Sequence, residues 1–123
     1  MPIFGRHLLI EYEGIEADRL NDLQQVAQWM RNAAEASGAT IVHSKFHPFS
    51  PTGISGVVII QESHLTIHTW PELGYAAVDI FTCGEDVDPR KACSYLEKAF
   101  NATHCDCREF PRGPIHLPER TTS

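Results

Sequence analysis

The sequence has no surplus of positive charge. Ten Lys and Arg stand against sixteen Asp and Glu among 123 residues, a formal net charge of −6. Without cations to displace phosphate counterions, nucleic acid and anionic membranes are not expected partners. No apolar run approaches the ~20 residues needed to cross a bilayer. The first ten residues carry one Arg, one His and no cleavable signal pattern, so the expected location is the cytoplasm. There is no Gly-rich Walker loop, which argues against a nucleotide-hydrolysis machine. G-x-S-x-G elbows and paired C-x₂-C motifs are also missing, which weakens a serine-hydrolase or zinc-ribbon reading.

What is present is enough for one core. Hydrophobic residues make up 42% and charged residues 21%, and residues 1–123 read as a single domain. Seven histidines and four cysteines are a generous supply of reactive side chains for that length. Without an export signal the cysteines read as reduced thiols, and Cys93, Cys105 and Cys107 read as small buried hydrophobes.

The periodicity predicts an α+β fold. His7–Tyr12 reads as a strand closed by Glu13-Gly14. Leu20, Leu23, Ala27, Met30 and Ala34 recur at steps of three and four, which predicts one amphipathic helix from Ala17 to Ser37, stopped by Gly38. A strand follows over Ala39–Phe46, then a loop marked by Pro48, Pro51 and Gly53. Val57–Ile60 is apolar on both faces, as expected of a central strand covered on both sides. Further strands are predicted over Leu65–Trp70 and Ala76–Thr82. Asp88-Pro89 is a helix start, an N-cap acceptor followed by proline at the first helical position. That helix runs to about Asn101, a final strand covers Thr103–Phe110, and a surface tail begins at Pro111. The order β-α-β-β-β-β-α-β with so few helices predicts a two-layer sandwich, a mainly antiparallel sheet with two helices on one face. The apolar residues left on the other face favour a dimer or larger assembly.

The chemistry concentrates in Glu62-Ser63-His64-Leu65-Thr66-Ile67-His68-Thr69-Trp70-Pro71-Glu72. In an extended strand His64, Thr66, His68 and Trp70 share one face, and Leu65 and Ile67 the other. Three generic readings follow. Cys83 or Ser63 could be a nucleophile with His68 as base. His104, Cys105 and Cys107 could join another Cys or His around a metal. The domain could also be a non-catalytic oligomerising module.

The stretch from Ser55-Gly56-Val57-Val58 through Glu62-Ser63-His64-Leu65-Thr66-Ile67-His68-Thr69-Trp70-Pro71-Glu72 to Thr82-Cys83-Gly84 resembles the small prokaryotic S-adenosylmethionine decarboxylase proenzymes. Gly5-Arg6-His7-Leu8 and Ser37-Gly38-Ala39-Thr40 resemble them too, so the likeness extends to about Phe100. The resemblance implies an enzyme that makes its own pyruvoyl prosthetic group from Ser63 and uses neither a metal nor pyridoxal phosphate. Ser63 would attack the Glu62–Ser63 carbonyl, and elimination would leave a chain of residues 1–62 and a pyruvoyl-capped chain of residues 63–123. By the same resemblance His68 is the processing base, Ser55 a hydroxyl that steadies the processing intermediate, and Cys83 the thiol that assists processing and later protonates the product. Phe49 and Trp70 match the rings that hold adenine, and Glu72 the carboxylate on the ribose diol, from two chains of a homodimer. The pyruvoyl group forms a Schiff base with S-adenosylmethionine and accepts the electrons left by CO2, giving the aminopropyl donor of spermidine synthesis. Leu73 stands where the pattern suggests an aromatic residue. Two alternatives remain at this stage: a pyruvoyl-dependent arginine or ornithine decarboxylase, and an unprocessed, non-catalytic paralogue.

Overall fold

The structure is a computed structural model and describes residues 4–114. Six strands and three α-helices follow one another as β1 (Gly5–Glu13), α1 (Ala17–Leu20), α2 (Leu23–Ala36), β2 (Ile41–Pro48), β3 (Ile54–Ile60), β4 (Ser63–Trp70), β5 (Tyr75–Cys83), α3 (Pro89–Phe100) and β6 (His104–Arg112), with a 3-10 turn at Pro71–Leu73 between β4 and β5. The strands form one sheet in the order β2-β3-β4-β5-β1-β6, and every neighbouring pair is antiparallel.

The expected single helix over 17–37 is two. Its apolar spacing runs through Asn21 and Asp22, but short polar side chains compete for backbone groups and favour helix ends. Asp22 is extended, and its carboxylate caps α2 by accepting from Gln25 N at 3.1 Å. The break is also held from outside. The Leu20 carbonyl accepts from Thr69 Oγ1 at 2.9 Å, and Asn21 Oδ1 accepts from Gly53 N at 3.2 Å. The second helix start matches its expectation: Asp88 caps α3 through Arg90 N at 3.0 Å, and Pro89 is its first residue.

The helices lie on one face. Strand alternation sends Leu8, Ile10, Tyr12, Val58, Leu65, Ile67, Val78 and Ile80 to that face, where they bury against Val26, Met30, Leu96 and Phe100. The Tyr12 ring meets Phe100 at 5.3 Å, and its buried hydroxyl donates to the Cys93 carbonyl at 2.8 Å. Covering β3 on both sides was an expectation that the single chain does not meet. Val58 and Ile60 are buried, but Ile59 on the opposite face is 41% exposed. The tail also begins later than expected. Pro111 and Arg112 extend β6 opposite Arg6 and Gly5, which proline tolerates because β6 is an edge strand. Residues 115–123 of that expected tail lie outside the described residues.

Thr69 ties this frame together, since its hydroxyl also accepts from Ile54 N at 2.9 Å. Thr69→Val keeps the shape and strands a buried N–H and a carbonyl. The expected loss is about 1–3 kcal/mol, read as a lower urea midpoint at unchanged slope. An unchanged midpoint would show that these bonds do not hold the α1–α2 break.

Candidate active site

Between β3 and β4 the chain reverses in two residues, Gln61 and Glu62, with Ile60 opposite Ser63. Hairpins this tight favour positive φ within the loop, usually at Gly or Asn. Here the unusual backbone falls on Ser63, with φ 140°. For a residue with a Cβ such a conformation costs about 1–3 kcal/mol.

The surroundings hold the Glu62–Ser63 bond on several sides. Cys83, the last residue of β5, donates its backbone N–H to the Glu62 carbonyl at 2.8 Å. Its Sγ lies 3.3 Å from Ser63 Oγ. The Glu62 carboxylate accepts from Thr40 N at 3.3 Å, and Gln61 N donates to the Thr40 carbonyl at 2.9 Å. A hydroxyl, a thiol and a bound carbonyl therefore meet at the peptide bond that leads into the strained Ser63. The N–H at that carbonyl is placed to favour negative charge on its oxygen.

Next to this corner, His64 and His7 flank Phe81, with ring centroids 5.8 and 5.3 Å from it. Arg112 Nη1 donates to His7 Nδ1 at 2.9 Å, so the neutral ring carries its hydrogen on Nε2. Burial holds the His7 pKa below the usual imidazole value.

The remaining expected residues gather elsewhere. Ser55 Oγ and His68 Nδ1 share a hydrogen bond of 2.7 Å across β3 and β4. Together with Phe49, Trp70 and Glu72 they line an open cleft of about 320 Å³. Glu72 accepts from Thr52 Oγ1 at 3.3 Å. Gly74, at φ 62°, closes the 3-10 turn against Ile15, where an added Cβ would stand 2.8 Å from the Ile15 carbonyl oxygen.

His68 is five residues along β4 from Ser63, about 16 Å of extended chain. One chain therefore brings Ser63 to Cys83 and Ser55 to His68 but does not bring the two pairs together. The metal candidate does not assemble: Cys105 and Cys107 turn towards α3, and no metal-binding set of His, Cys, Asp or Glu occurs among the described residues.

Residues 6–113 match the family described as S-adenosylmethionine decarboxylase. The chain belongs to that family. It is 56% identical over 115 residues to the S-adenosylmethionine decarboxylase proenzyme of Pelotomaculum thermopropionicum, covering 94% of this chain and 91% of the relative. It is 54% identical over 122 residues to the proenzyme of Thermotoga maritima, covering 97% and 94%. The crystal structure of the adenosylmethionine decarboxylase from Aquifex aeolicus superposes with a TM-score of 0.87 at 31% identity, covering 94% of this chain and 96% of that one. The expected α+β architecture is thus that of an S-adenosylmethionine decarboxylase, a pyruvoyl-dependent lyase family.

Two features of this decarboxylase site were not read from the sequence. The Cys83 N–H is backbone and has no residue signature. The Tyr75 ring packs on Trp70 at 5.2 Å, and its hydroxyl donates to Glu11. The Pro71…Gly74 turn between Trp70 and Tyr75 was the available signal, because a tight turn sets its flanking residues opposite each other. The bond to Glu11 pushes the Tyr75 hydroxyl up to about 12. A phenolate absorbance titration, assigned by difference with Tyr75→Phe, should show this group ionising near there. Glu11→Gln should bring it down towards the ordinary value near 10. Ionisation near 10 in the unaltered protein would mean that Glu11 does not hold the Tyr75 hydroxyl.

Proposed function

We propose that this chain cleaves itself between Glu62 and Ser63 and then decarboxylates S-adenosylmethionine at the new N-terminus of residues 63–123, in the cytoplasm. The observation that carries this reading is the strained Ser63 in contact with Cys83, beside a carbonyl that already accepts a hydrogen bond.

Ser63 Oγ attacks the Glu62 carbonyl carbon, and the acyl group moves from nitrogen to oxygen. The Cys83 N–H supports the developing oxyanion, and the Ser55 hydroxyl assists. His68 takes the Ser63 α-proton as the ester eliminates. Residues 1–62 leave with a carboxylate at Glu62. The dehydroalanine left at 63 hydrolyses with loss of ammonia. The site fits the resulting pyruvoyl group, since Ser63 is already set apart from regular strand geometry with a thiol against its side chain. Once formed, that group supplies an electron sink for a substrate bearing an amine and a carboxylate. The thiol of Cys83 delivers the proton to the product carbon. Phe49 and Trp70 hold the adenine, with a favourable ring environment for the sulfonium cation, and Glu72 holds the ribose hydroxyls. An adenosyl substrate accounts for these aromatic and acidic residues better than arginine or ornithine does.

His68 cannot reach Ser63 within one chain, so the reading requires a second copy. The sheet face without helices carries Cys83, Ser55 and His68 along with exposed Ile59 and Trp70, and Ser63 sits at the start of β4 against the Cys83 thiol. A two-fold axis between two such faces sets the Ser63–Cys83 end of one chain against the Ser55–His68 cleft of the other, twice per dimer.

Denaturing mass spectrometry should find residues 1–62 and an N-terminally blocked 63–123. Ser63→Ala should remain one intact chain and release no CO2 from carboxyl-labelled S-adenosylmethionine. Prolonged persistence of the uncut native chain sinks the processing claim, and release of CO2 from arginine or ornithine instead overturns the substrate. Co-expression tests the shared site. His68→Ala and Cys83→Ala are each expected to be nearly inactive, yet hybrid dimers carry one complete site, so the mixture should regain about a quarter of native activity. No recovery in isolated hybrids would place each site within one chain.

A further inference from the structure

The three cysteines left without a role in this chemistry lie together on the other side of the sheet. Cys105 and Cys107 share the helix-side face of β6, and Cys93 reaches them from α3. Cys93 Sγ and Cys105 Sγ are 3.9 Å apart. We propose that Cys93 and Cys105 are an oxidative modification site, closing to an intramolecular disulfide that joins α3 to β6 when the protein meets a hydroperoxide.

Tyr12 fixes both backbones. Its hydroxyl holds the Cys93 carbonyl, and its own Cα lies opposite Cys105 in the β1–β6 register. The thiol separation is therefore set by a buried side chain and a strand ladder rather than by a loop. Closing the bond brings the two sulfurs from 3.9 Å to an ordinary S–S length of about 2.05 Å. Cys107 also meets Cys93, but it is further engaged by Arg90, whose Nη1 donates to its Sγ at 3.4 Å. Cys83 belongs to β5 and projects from the opposite face of the sheet, so the sheet itself keeps the processing thiol out of this cluster.

The half-buried Cys105 meets the oxidant first, because Cys93 is only 6% exposed. Its sulfur takes one peroxide oxygen as a sulfenic acid, and water leaves. The Cys93 sulfur then attacks the Cys105 sulfur, the S–S bond forms, and the hydroxyl departs as a second water. Two thiols and one hydrogen peroxide give one disulfide and two waters. Two electrons pass from sulfur to the peroxide. Burial pushes Cys105 up to about 12 and Cys107 up to about 11. Both stay protonated at neutral pH, which slows their attack on peroxide, so a strong oxidant challenge is needed and the bond forms faster as pH rises.

The test uses the full chain, treated with hydrogen peroxide, unfolded, alkylated and digested without reductant. The expected product is a Cys93–Cys105 peptide pair, about 2 Da lighter than the two thiol peptides together. It forms within each chain, is reversed by dithiothreitol, and persists in Cys107→Ser. Alkylation of all four thiols after the challenge would overturn the proposal. So would oxidation confined to Cys83, a bond to Cys107, or a bond between chains. The readout is covalent and independent of decarboxylation, so the processing chemistry and this site can fail separately.

Discussion

Cys83 donates its backbone N–H to the Glu62 carbonyl at 2.8 Å and sets its sulfur 3.3 Å from the Ser63 hydroxyl. Both contacts come from one residue because Ser63 pairs with Thr82 at the end of the β4–β5 ladder. On its other side Ser63 faces Ile60 across the hairpin between β3 and β4, which has only two residues in which to reverse. A longer loop would let Ser63 relax into ordinary strand geometry and would free the Glu62 carbonyl to turn to water. Strain, carbonyl orientation and thiol contact are thus one feature, set by loop length.

The second constraint is that the helices cover a single face. Strand alternation then divides the molecule chemically. One side takes the core, together with Cys93, Cys105 and Cys107; the other takes Cys83, Ser55, His68 and Trp70, with Ser63 at the strand end against the Cys83 thiol. That face carries exposed Ile59 and Trp70 as well as a cleft, and it is where the proposed second copy docks. The shortness of the chain fits this arrangement. It has too few elements to cover its own sheet twice, and the uncovered side is where its reactive residues are grouped.

Much of this was legible in the sequence because it depends on periodicity and local chemistry. Alternation across Leu65–Trp70 separated core from cleft. Asp88-Pro89 marked the start of α3 to the residue. The Glu62–Glu72 run carried the family likeness that the matches with known decarboxylases bear out. What escaped was decided by tertiary contacts. The α1–α2 break takes its support from Thr69 and Gly53, far along the chain, although Asp22 followed by Gln25 was a usable N-terminal signal. The separation of Ser63 from His68 could have been counted from five residues of strand. The resemblance named both residues as parts of one site, and only the extended geometry of β4 shows that a single chain holds them apart.

That separation bears on how the proposed self-cleavage is controlled. Moving an acyl group from an amide nitrogen to a hydroxyl oxygen gives up amide resonance, so the step runs uphill. Backbone strain of about 1–3 kcal/mol at Ser63 offsets part of this, and an oriented oxyanion donor is typically worth about 2.7–4 kcal/mol in the transition state. On the proposed reading both contributions come from one chain, while Ser55, which assists the acyl shift, comes with His68 from the second copy. What commits the reaction is loss of the α-proton, because elimination breaks the chain. On the proposed reading the base for that step is His68 of a second copy. Assembly then aids the reversible acyl shift through Ser55 and is required for the irreversible step, so on this reading the chain is cut only where a complete decarboxylation site already exists.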